Sequence, residues 1–196
     1  LDPAVMGIGK GEICVIRGPS GSGKSTMLNM LGGLDMLDAG DLTIEGRSLI
    51  GLTPKERTLY RKEEVGFVFQ FYNLIPDLTV EENIEVVSDI SESPLDLSEV
   101  LGALELEPYR RRFPRELSGG QQQRAAIARA MIKNPKLLLC DELTGALDTR
   151  SSKNVLQFVE KMNRQYGTTV VIITHNEAIA KMADQIIWIR DGRVEK

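Results

Sequence analysis

Glycines, hydroxyl groups and one lysine are concentrated in the stretch 18–25, which follows the apolar run 13–16 and opens a helical pattern. Glycines let a loop curl until successive backbone N–H groups point inward, and the positive end of the following helix adds to that field. In such a loop Lys24 reaches the β- and γ-phosphates of a nucleotide, and the Ser25 hydroxyl ligates Mg²⁺. The stretch therefore predicts a nucleoside-triphosphate site, against the alternative of a flexible turn rich in glycine and serine. Its candidate residues are Gly18, Pro19, Ser20, Gly21, Ser22, Gly23, Lys24, Ser25 and Thr26.

Two carboxylates, Asp141 and Glu142, directly follow the apolar run 137–140, whose composition indicates a buried strand. Open α/β sheets bind ligands at the carboxyl ends of their strands, so a nucleotide is expected beside this pair. Asp141 is suited to hold Mg²⁺ through water beside Ser25. Glu142 is suited to polarise a water for in-line attack on the γ-phosphate. An acidic helix cap or loop is the alternative interpretation.

A second glycine-bearing helix start occurs at Ser118, Gly119, Gly120 and Gln121. A serine hydroxyl and exposed N–H groups at a helix N-terminus bind anions by the same physics as the first loop. One domain has little use for two γ-phosphate sites of its own. We therefore expect this second site to close over a nucleotide that is held by another copy of the chain.

The elements that must position these residues alternate between strand-like and helix-like patterns, which implies a mainly parallel sheet covered on both faces. The dipeptide Asp191-Gly192 predicts a two-residue hairpin near the end of the chain. Between residues 71 and 133, runs of β-branched residues are few and helical patterns dominate. Strands are predicted at 13–17, 41–45, 65–69, 137–140, 168–174, 186–190 and 193–195. Helices with both ends predicted lie at 54–62, 121–132 and 151–166. Three further helices have one predicted end each: one begins at residue 79, one ends at residue 104 and one ends near residue 183.

The motifs at 18–25, 70, 117–121, 139–142, 145–148 and 175 have the order and approximate spacing of an ABC-transporter nucleotide-binding domain, which the chain resembles over nearly its whole length. The resemblance implies an α/β P-loop NTPase (RecA-like) fold, in which a mainly parallel sheet is flanked by helices, with an antiparallel β part and an inserted helical subdomain. It implies a single domain over 1–196, with 1–70 and 134–196 as the core and 71–133 as the helical subdomain.

Three more site residues are assigned only through this resemblance. Gln70 matches the Q-loop glutamine, which contacts Mg²⁺ or the attacking water and links the helical subdomain to the core. Asp148 matches the D-loop aspartate at the dimer interface. His175, which is the one histidine of the sequence, matches the switch histidine that senses the γ-phosphate; an inert cap after a buried strand is its alternative interpretation.

The resemblance also implies ATP and Mg²⁺ as cofactors, two copies that bind two ATP molecules between them, and an integral membrane permease moved by their closure. Residues Phe71, Tyr72, Leu74 and Ile75 would border the groove for the permease, unless they are ordinary core residues. The finer motifs at 18–29, 66–70, 73–76, 78–83, 121–124 and 144–148 resemble the lipoprotein-releasing and macrolide-exporter class of ABC ATPases. This class favours export, or extrusion of lipoproteins or peptides.

Two positions depart from the family pattern. Leu143 stands where the family usually has proline after the catalytic glutamate. Leucine restores a backbone N–H and frees φ at this one position, so the geometry between Glu142 and Asp148 is less tightly fixed. The family also stacks adenine on an aromatic residue upstream of the phosphate loop, whereas the first aromatic here is Tyr60. The sequence begins at Leu1 rather than at a methionine. We therefore expect either that the adenine-stacking aromatic lies in a segment before Leu1 or that the protein lacks it and binds adenine more weakly.

Composition narrows the function classes. The 196 residues are 42% hydrophobic and 27% charged, which is ordinary for one globular domain. A net charge of −4 argues against a nucleic-acid partner, and the basic triplet 110–112 is interpreted as a solvated helix end. No apolar run approaches the ~20 residues of a membrane-spanning helix. We therefore expect a cytoplasmic protein, peripheral on the inner face of the membrane, with Cys14 and Cys140 reduced and buried.

Three rival functions remain open. A regulatory ATPase of a membrane complex, of the cell-division or signalling type, would have the same ATPase core without moving a substrate. An ABC-type ATPase of DNA repair or translation usually carries coiled-coil insertions or tandem domains, which this sequence lacks. A GTPase or small-molecule kinase would share only the phosphate loop, and no Asn-Lys-x-Asp guanine motif is present.

Overall fold

The computed structural model describes residues 6–142 and 149–195, apart from the side chains of residues 149–154. Its strands are β1 (Ile13–Arg17), β2 (Thr43–Ile44), β3 (Arg47–Ser48), β4 (Val65–Val68), β5 (Leu137–Asp141), β6 (Thr169–Ile173), β7 (Gln185–Arg190) and β8 (Arg193–Glu195). Its helices are α1 (Lys24–Leu31), α2 (Pro54–Glu63), α3 (Val80–Ser88), α4 (Leu97–Ala103), α5 (Gly119–Met131), α6 (Thr149–Tyr166) and α7 (Glu177–Ala180). Two 3₁₀ turns, Glu107–Tyr109 and Pro114–Glu116, precede α5.

The main sheet has the strand order β4-β5-β6-β1-β7-β8. Its first five strands in that order are parallel, and β8 is antiparallel to β7. The tight turn between them contains Asp191 and Gly192, with φ of 50° and 77°, as the hairpin dipeptide predicts. Strands β2 and β3 form a separate antiparallel pair. The mainly parallel sheet with an antiparallel part is thus confirmed.

Alternate residues of the central strands face two different hydrophobic clusters, because side chains of a strand point to opposite faces in turn. In β5, Leu137 and Leu139 pack in the cluster that contains residues of α1 and α2. Leu138 and Cys140 pack in the cluster that contains residues of α3, α4, α5 and α6. Helices therefore cover both faces of the sheet, and α1 and α5 lie on opposite faces.

The chain between β4 and β5 is described throughout and contains no strand. Helices α3 and α5 pack against each other, and α5 also contacts β4 and α4. Thr79 caps α3 in a capping box with Glu82, and Asp96 caps α4 by accepting from the Glu99 amide at 2.8 Å. Because this segment shares one core with the sheet, it packs as part of the same hydrophobic unit.

Several element boundaries differ from those predicted. The strand expected over 41–45 is shorter, because Glu45 and Gly46 adopt φ of 46° and 82° and turn the chain into β3. Helix α5 begins at Gly119 rather than residue 121, since Ser118 already caps it. The helix expected to reach residue 183 ends at Ala180, and the amides of Met182 and Ala183 bond three residues back in a tighter turn.

Both cysteines are free and buried in the sheet. Burial raises the pKa of the Cys14 thiol to about 12 and raises that of Cys140 as well, so both stay protonated near neutral pH. Among the described helices, none combines the length and the apolar character that crossing a membrane requires.

Candidate functional site

The phosphate loop connects the end of β1 to the start of α1, and its backbone requires glycine at its first position. Gly18 has φ of 148°, and a Cβ there would lie 1.9 Å from the carbonyl oxygen of Ile189 in β7. Gly23, directly before α1, has φ of 100°. An L residue rarely adopts either conformation, so the loop conformation depends on glycine at both positions.

Helix α1 begins without a side-chain cap, unlike the other long helices whose starts are described. Gly23 offers no side chain to the first amides of α1. Thr53, Thr79 and Ser118 each cap their own helices through capping boxes. The first N–H groups of α1 are therefore available to an anion, and the positive end of the helix dipole lies with them.

The side chains of the loop suit a phosphate group. Lys24 is buried, and its ammonium donates to the carbonyls of Gly18 at 3.0 Å and Pro19 at 2.7 Å. The hydroxyl of Ser22 is buried without a protein partner. A positive charge, a hydroxyl with unused hydrogen-bonding capacity and uncapped amides are the donors that a triphosphate requires.

Ser25 and Asp141 meet across the sheet edge. The Ser25 hydroxyl donates to Oδ2 of Asp141 at 3.1 Å. Residue 141 is on the same face of β5 as Leu139, which is the face that α1 covers. In the part of the chain that the structure describes, no cluster of three or more acidic, histidine or cysteine residues could bind a metal alone. One hydroxyl and one carboxylate fit Mg²⁺, which takes oxygen ligands and completes its shell with water and substrate phosphates.

Glu142 and His175 form the second contact of the site. Nε2 of His175 lies 3.6 Å from Oε1 of Glu142. Glu142 has φ of 56°, and its amide donates to the carbonyl of Ile173 at 3.0 Å, which holds the residue against β6. A glutamate held in a left-handed conformation at a strand end is a strained position, and such positions cluster at functional sites.

Strand register explains why residues distant in sequence gather at this edge. Val68 of β4 pairs with Cys140 of β5, so Gln70 and Glu142 each lie two residues beyond a paired position. Asp141 pairs with Ile173 of β6, and Ile173 pairs with Ile16 of β1. The carboxyl ends of four neighbouring strands therefore bring together the phosphate loop, Gln70, the acidic pair and His175.

The second glycine-bearing helix start is not part of this group. Ser118 is exposed and bonds within its own helix start: its hydroxyl accepts from the Gln121 amide at 3.4 Å, and its amide donates to Oε1 of Gln121 at 2.8 Å. Gly119 and Gly120 form the first turn of α5, which packs on the face of the sheet opposite α1. Asp148, and with it Leu143, lies outside the described residues.

Tyr60 is excluded as a surface for adenine. Its ring is fully buried in the cluster beneath α1, and its hydroxyl donates to the carbonyl of Leu31 at 2.8 Å. Burial raises the pKa of this hydroxyl, which stays protonated. Tyr60 is therefore a core residue and offers no ring face on which adenine could stack.

A phosphate loop at the carboxyl edge of a mainly parallel sheet, with an acidic pair at the end of a neighbouring strand, defines the P-loop nucleoside triphosphatase class. Within that class, the profile described as "ABC transporter" matches residues 1–145. The chain belongs to the ABC transporter family.

Relatives of this chain include archaeal and bacterial ATP-binding proteins. It is 42% identical to the ABC transporter ATP-binding protein MJ0796 of Methanocaldococcus jannaschii over 97% of this chain and 85% of that protein. It is also 42% identical to the lipoprotein-releasing system ATP-binding protein LolD of Blochmanniella floridana over 100% of this chain and 85% of that protein. The dimeric post-hydrolysis structure of MJ0796 bound to ADP and Pi superposes with a TM-score of 0.89, at 41% identity, covering 97% of this chain and 86% of that one.

Other relatives are much longer than this chain. It spans 58% of the MG467 homolog and 40% of the MG065 homolog of Mycoplasma pneumoniae, each at 42% identity over 99% and 94% of this chain. It is 44% identical over 94% of its length to the macrolide export ATP-binding/permease protein MacB of Escherichia coli, of which it spans 29%.

Proposed function

We propose that this chain is the ATP-binding and ATP-hydrolysing subunit of an ABC transporter and that it powers a membrane permease. The observation that carries this proposal is the meeting of the phosphate loop, the Ser25–Asp141 contact and the Glu142–His175 contact at one sheet edge. The proposal includes the division of one domain into a core, 1–70 and 134–196, and a helical subdomain, 71–133.

The phosphate loop, residues 18–26, would bind the triphosphate of ATP. Uncapped amides of α1 and the Ser22 hydroxyl donate to phosphate oxygens, while Lys24 moves its ammonium from the loop carbonyls to the β- and γ-phosphates. Ser25, Asp141 and Gln70 would hold Mg²⁺. When bound, this ion neutralises charge on the phosphates.

Glu142 would act as the general base. Its carboxylate accepts a proton from the attacking water, and such a base contributes roughly 10²–10⁴ in rate. His175, already 3.6 Å from that carboxylate, would orient it and contact the γ-phosphate. Gln70, at the end of the neighbouring strand, would help to orient the same water.

Two copies would complete each other's sites. Helix α5 begins at the second glycine-bearing helix start and lies on the face of the sheet opposite α1. One copy alone therefore does not bring the N-termini of both helices to one nucleotide. Ser118, Gly119, Gly120 and Gln121 of one copy would then contact the γ-phosphate on the other, with Asp148 at the interface. The dimeric MJ0796 structure bound to ADP and Pi supports this arrangement.

The membrane partner would dock beside the segment that follows Gln70. Phe71 is 80% exposed and Ile75 is 41% exposed, whereas Leu74 packs against the core. Exposed apolar side chains on a folded segment favour a protein partner. The names of LolD and MacB support export or lipoprotein release. In this proposal the subunit would lie on the cytoplasmic face of the membrane.

The proposal is tested first by steady-state ATP hydrolysis of the Glu142→Gln variant. Removing the base should lower turnover by at least about 100-fold and leave an ATP-bound dimer that size-exclusion chromatography detects. The matched control is Glu160→Gln, which changes a glutamate on α6 that pairs with Arg164. Unchanged turnover of Glu142→Gln would refute the role of Glu142.

A second experiment separates transport from regulation. The chain is reconstituted in vesicles with a candidate membrane permease that it binds, and both ATP hydrolysis and substrate movement are measured. Permease-stimulated hydrolysis with substrate movement supports the transporter. Stimulated hydrolysis without movement of any tested lipoprotein, peptide or macrolide would favour a regulatory ATPase of a membrane complex.

A further inference from the structure

An ion pair connects the start of the phosphate loop to the segment that carries His175. Arg17 is the last residue of β1 and directly precedes Gly18, where the loop begins. Its Nη2 donates to Oε1 of Glu177 at 2.6 Å. Glu177 is the first residue of α7 and lies two positions after His175. Two parts of the candidate site that are far apart in the chain are therefore joined by one side-chain contact.

The Arg17 side chain lies on the face of the sheet that α7 covers. Ile13 and Val15, which precede it at alternate positions of β1, pack in the cluster that contains Ile179 of α7. On the neighbouring strand β7, Trp188 pairs with Arg17, and the guanidinium carbon lies 5.0 Å from the centroid of an indole ring. A guanidinium over an indole face is held by cation–π attraction. Arg17 is thus held by β7 as well as by α7.

The arginine of this pair is more ordered than an arginine of an ordinary surface ion pair. Its side chain is 15% accessible, whereas that of Glu177 is 71% accessible. Because the indole ring already restrains the guanidinium, mainly the glutamate loses conformational freedom when the pair forms. The hydrogen bond from Arg17 holds the pKa of the Glu177 carboxyl below its usual range, so this group is ionised at neutral pH.

The backbone around His175 is held, whereas its imidazole is exposed. The buried Thr174 hydroxyl accepts from the Asn176 amide at 3.1 Å. The Asn176 side chain then caps α7. The imidazole itself is 62% accessible and lies 3.6 Å from the Glu142 carboxylate. Its distance from Glu142 therefore depends on where the backbone on either side of it is held.

Helix α7 needs contacts with the sheet to keep its place. It contains four residues, Glu177–Ala180, and a single helical turn is not stable by itself, because helix nucleation is unfavourable. Ile179 anchors its far end in the hydrophobic cluster beneath it. The Arg17–Glu177 ion pair anchors the end nearer to His175.

We propose that Arg17 and Glu177 are positioning residues, whose ion pair sets the place of His175 relative to Glu142 and to the phosphate loop. This inference rests on the proposed function, because it gives the place of His175 a part in hydrolysis. The phosphate loop and the histidine would contact the same triphosphate, so their spacing matters to the reaction. A displacement of about 1 Å near the reacting groups can cost about 100-fold in rate.

The first test measures the place of His175 without nucleotide. His175 is the one histidine of the sequence, so its ring gives a single set of NMR signals in protein that carries no histidine tag. Glu142→Gln removes the neighbouring charge and should shift these signals in the otherwise unchanged protein. In a Glu177→Gln background the shift should fall to less than about half, because the imidazole no longer lies beside residue 142. Arg17→Gln should have the same effect.

The matched control is Arg190→Gln. Arg190 also forms an arginine–glutamate pair at this side of the sheet, with Glu195 at 3.8 Å, but both residues belong to the β7–β8 hairpin. In this background Glu142→Gln should shift the imidazole signals by the full amount. Loss of any surface ion pair would then be excluded as the cause of the effect in Glu177→Gln.

The second test asks whether the ion pair acts through His175. Glu177→Gln should lower kcat by about 5- to 50-fold, with less than about a twofold change in the ATP concentration for half-maximal rate. Added to His175→Ala, it should lower kcat by less than about twofold further, because the group that it positions is already gone. Arg190→Gln should change kcat by less than about twofold in either background.

The outcomes separate this inference from the proposed function. An imidazole shift that keeps its full size in Glu177→Gln, or that is absent in the otherwise unchanged protein, overturns the positioning role. A loss of kcat that multiplies with that of His175→Ala overturns it as well. A wild-type chain that does not hydrolyse ATP refutes the proposed function, whereas the NMR experiment still decides whether the pair positions His175. Where Arg17→Gln does not fold, Glu177→Gln carries both tests, since Glu177 is exposed.

Discussion

Nε2 of His175 lies 3.6 Å from Oε1 of Glu142, although 33 positions separate the two residues in the chain. Each follows the carboxyl end of a strand, and β5 and β6 are neighbours in the sheet. The imidazole is more exposed than the carboxylate, with 62% against 25% of the side chain accessible. The histidine therefore covers the glutamate from the solvent side of the sheet edge.

We expect His175→Ala to lower ATP turnover by about 100-fold, because the carboxylate of Glu142 loses the neighbour that we propose orients it. The same change in a Glu142→Gln background should have a much smaller effect, since in the proposed function the two residues act on one water. Steady-state phosphate release measures all three variants. Independent, multiplying losses would contradict a shared role.

Asp141→Asn should raise the Mg²⁺ concentration for half-maximal ATP hydrolysis by about 10- to 100-fold, because the residue that we propose holds Mg²⁺ beside Ser25 loses its charge. The Ser25 hydroxyl can still donate to the amide oxygen, so the fold should remain intact. A Mg²⁺ titration of activity provides the measurement. The control is Asp35→Asn, at an exposed aspartate after α1, and equal shifts in both variants would refute the assignment.

Gly18→Ala and Gly102→Ala should have opposite effects on the free energy of unfolding. At Gly18 a Cβ would meet the Ile189 carbonyl at 1.9 Å, so we expect a loss of more than about 3 kcal/mol together with loss of ATP binding. At Gly102, in α4, a Cβ meets nothing within 4 Å, and alanine should stabilise by about 0.5–1 kcal/mol. Urea unfolding distinguishes the two, and equal effects would contradict the loop geometry.

Tyr60→Phe should lower stability and leave nucleotide affinity unchanged. The variant leaves the Leu31 carbonyl without its buried donor, at a cost of about 1–3 kcal/mol. Urea unfolding and binding of ATP measured by calorimetry report the two effects separately. A weakening of ATP binding beyond about twofold would mean that Tyr60 contributes to the nucleotide site after all.

Lys133 should make stability depend on pH. Burial lowers its pKa from 10.5 to about 8, while its ammonium donates to the Arg61 carbonyl at 2.7 Å. Between these two pKa values the unfolded chain binds more protons than the folded one, so stability rises with pH there, and the penalty is fully present below pH 8. Relative to Lys133→Met, the wild type should gain about 2–3 kcal/mol between pH 7.5 and 10.

Urea unfolding of both proteins across that range measures the difference. The thiol of Cys14, whose pKa is raised to about 12, lowers stability at high pH in both proteins and so cancels in the comparison. Curves that run parallel from pH 7.5 to 10 would show that Lys133 does not titrate in this window.

Much of the site is readable from sequence because its parts are local. Residues 18–25 form a loop whose glycines, lysine and serine suffice to predict a phosphate site, and the Asp191-Gly192 turn specifies its hairpin without reference to the rest of the chain. The acidic pair was predicted at a strand end, where Asp141 and Glu142 are found. Boundaries such as the end of α7 were missed, because hydrophobic periodicity does not distinguish a helix from the tighter turn that follows it.

By itself the sequence determined the chemistry of the phosphate loop, the alternation of strands and helices and the family, since each of these is encoded in residues a few positions apart. Only the tertiary structure decided that His175 covers Glu142, that Tyr60 is buried beneath α1 and that Arg17 pairs with Glu177. These three relationships depend on strand order, register and helix packing. Strand order, register and helix packing arise when segments distant in the chain bury apolar surface together. A local pattern of residues does not determine which of these segments come into contact.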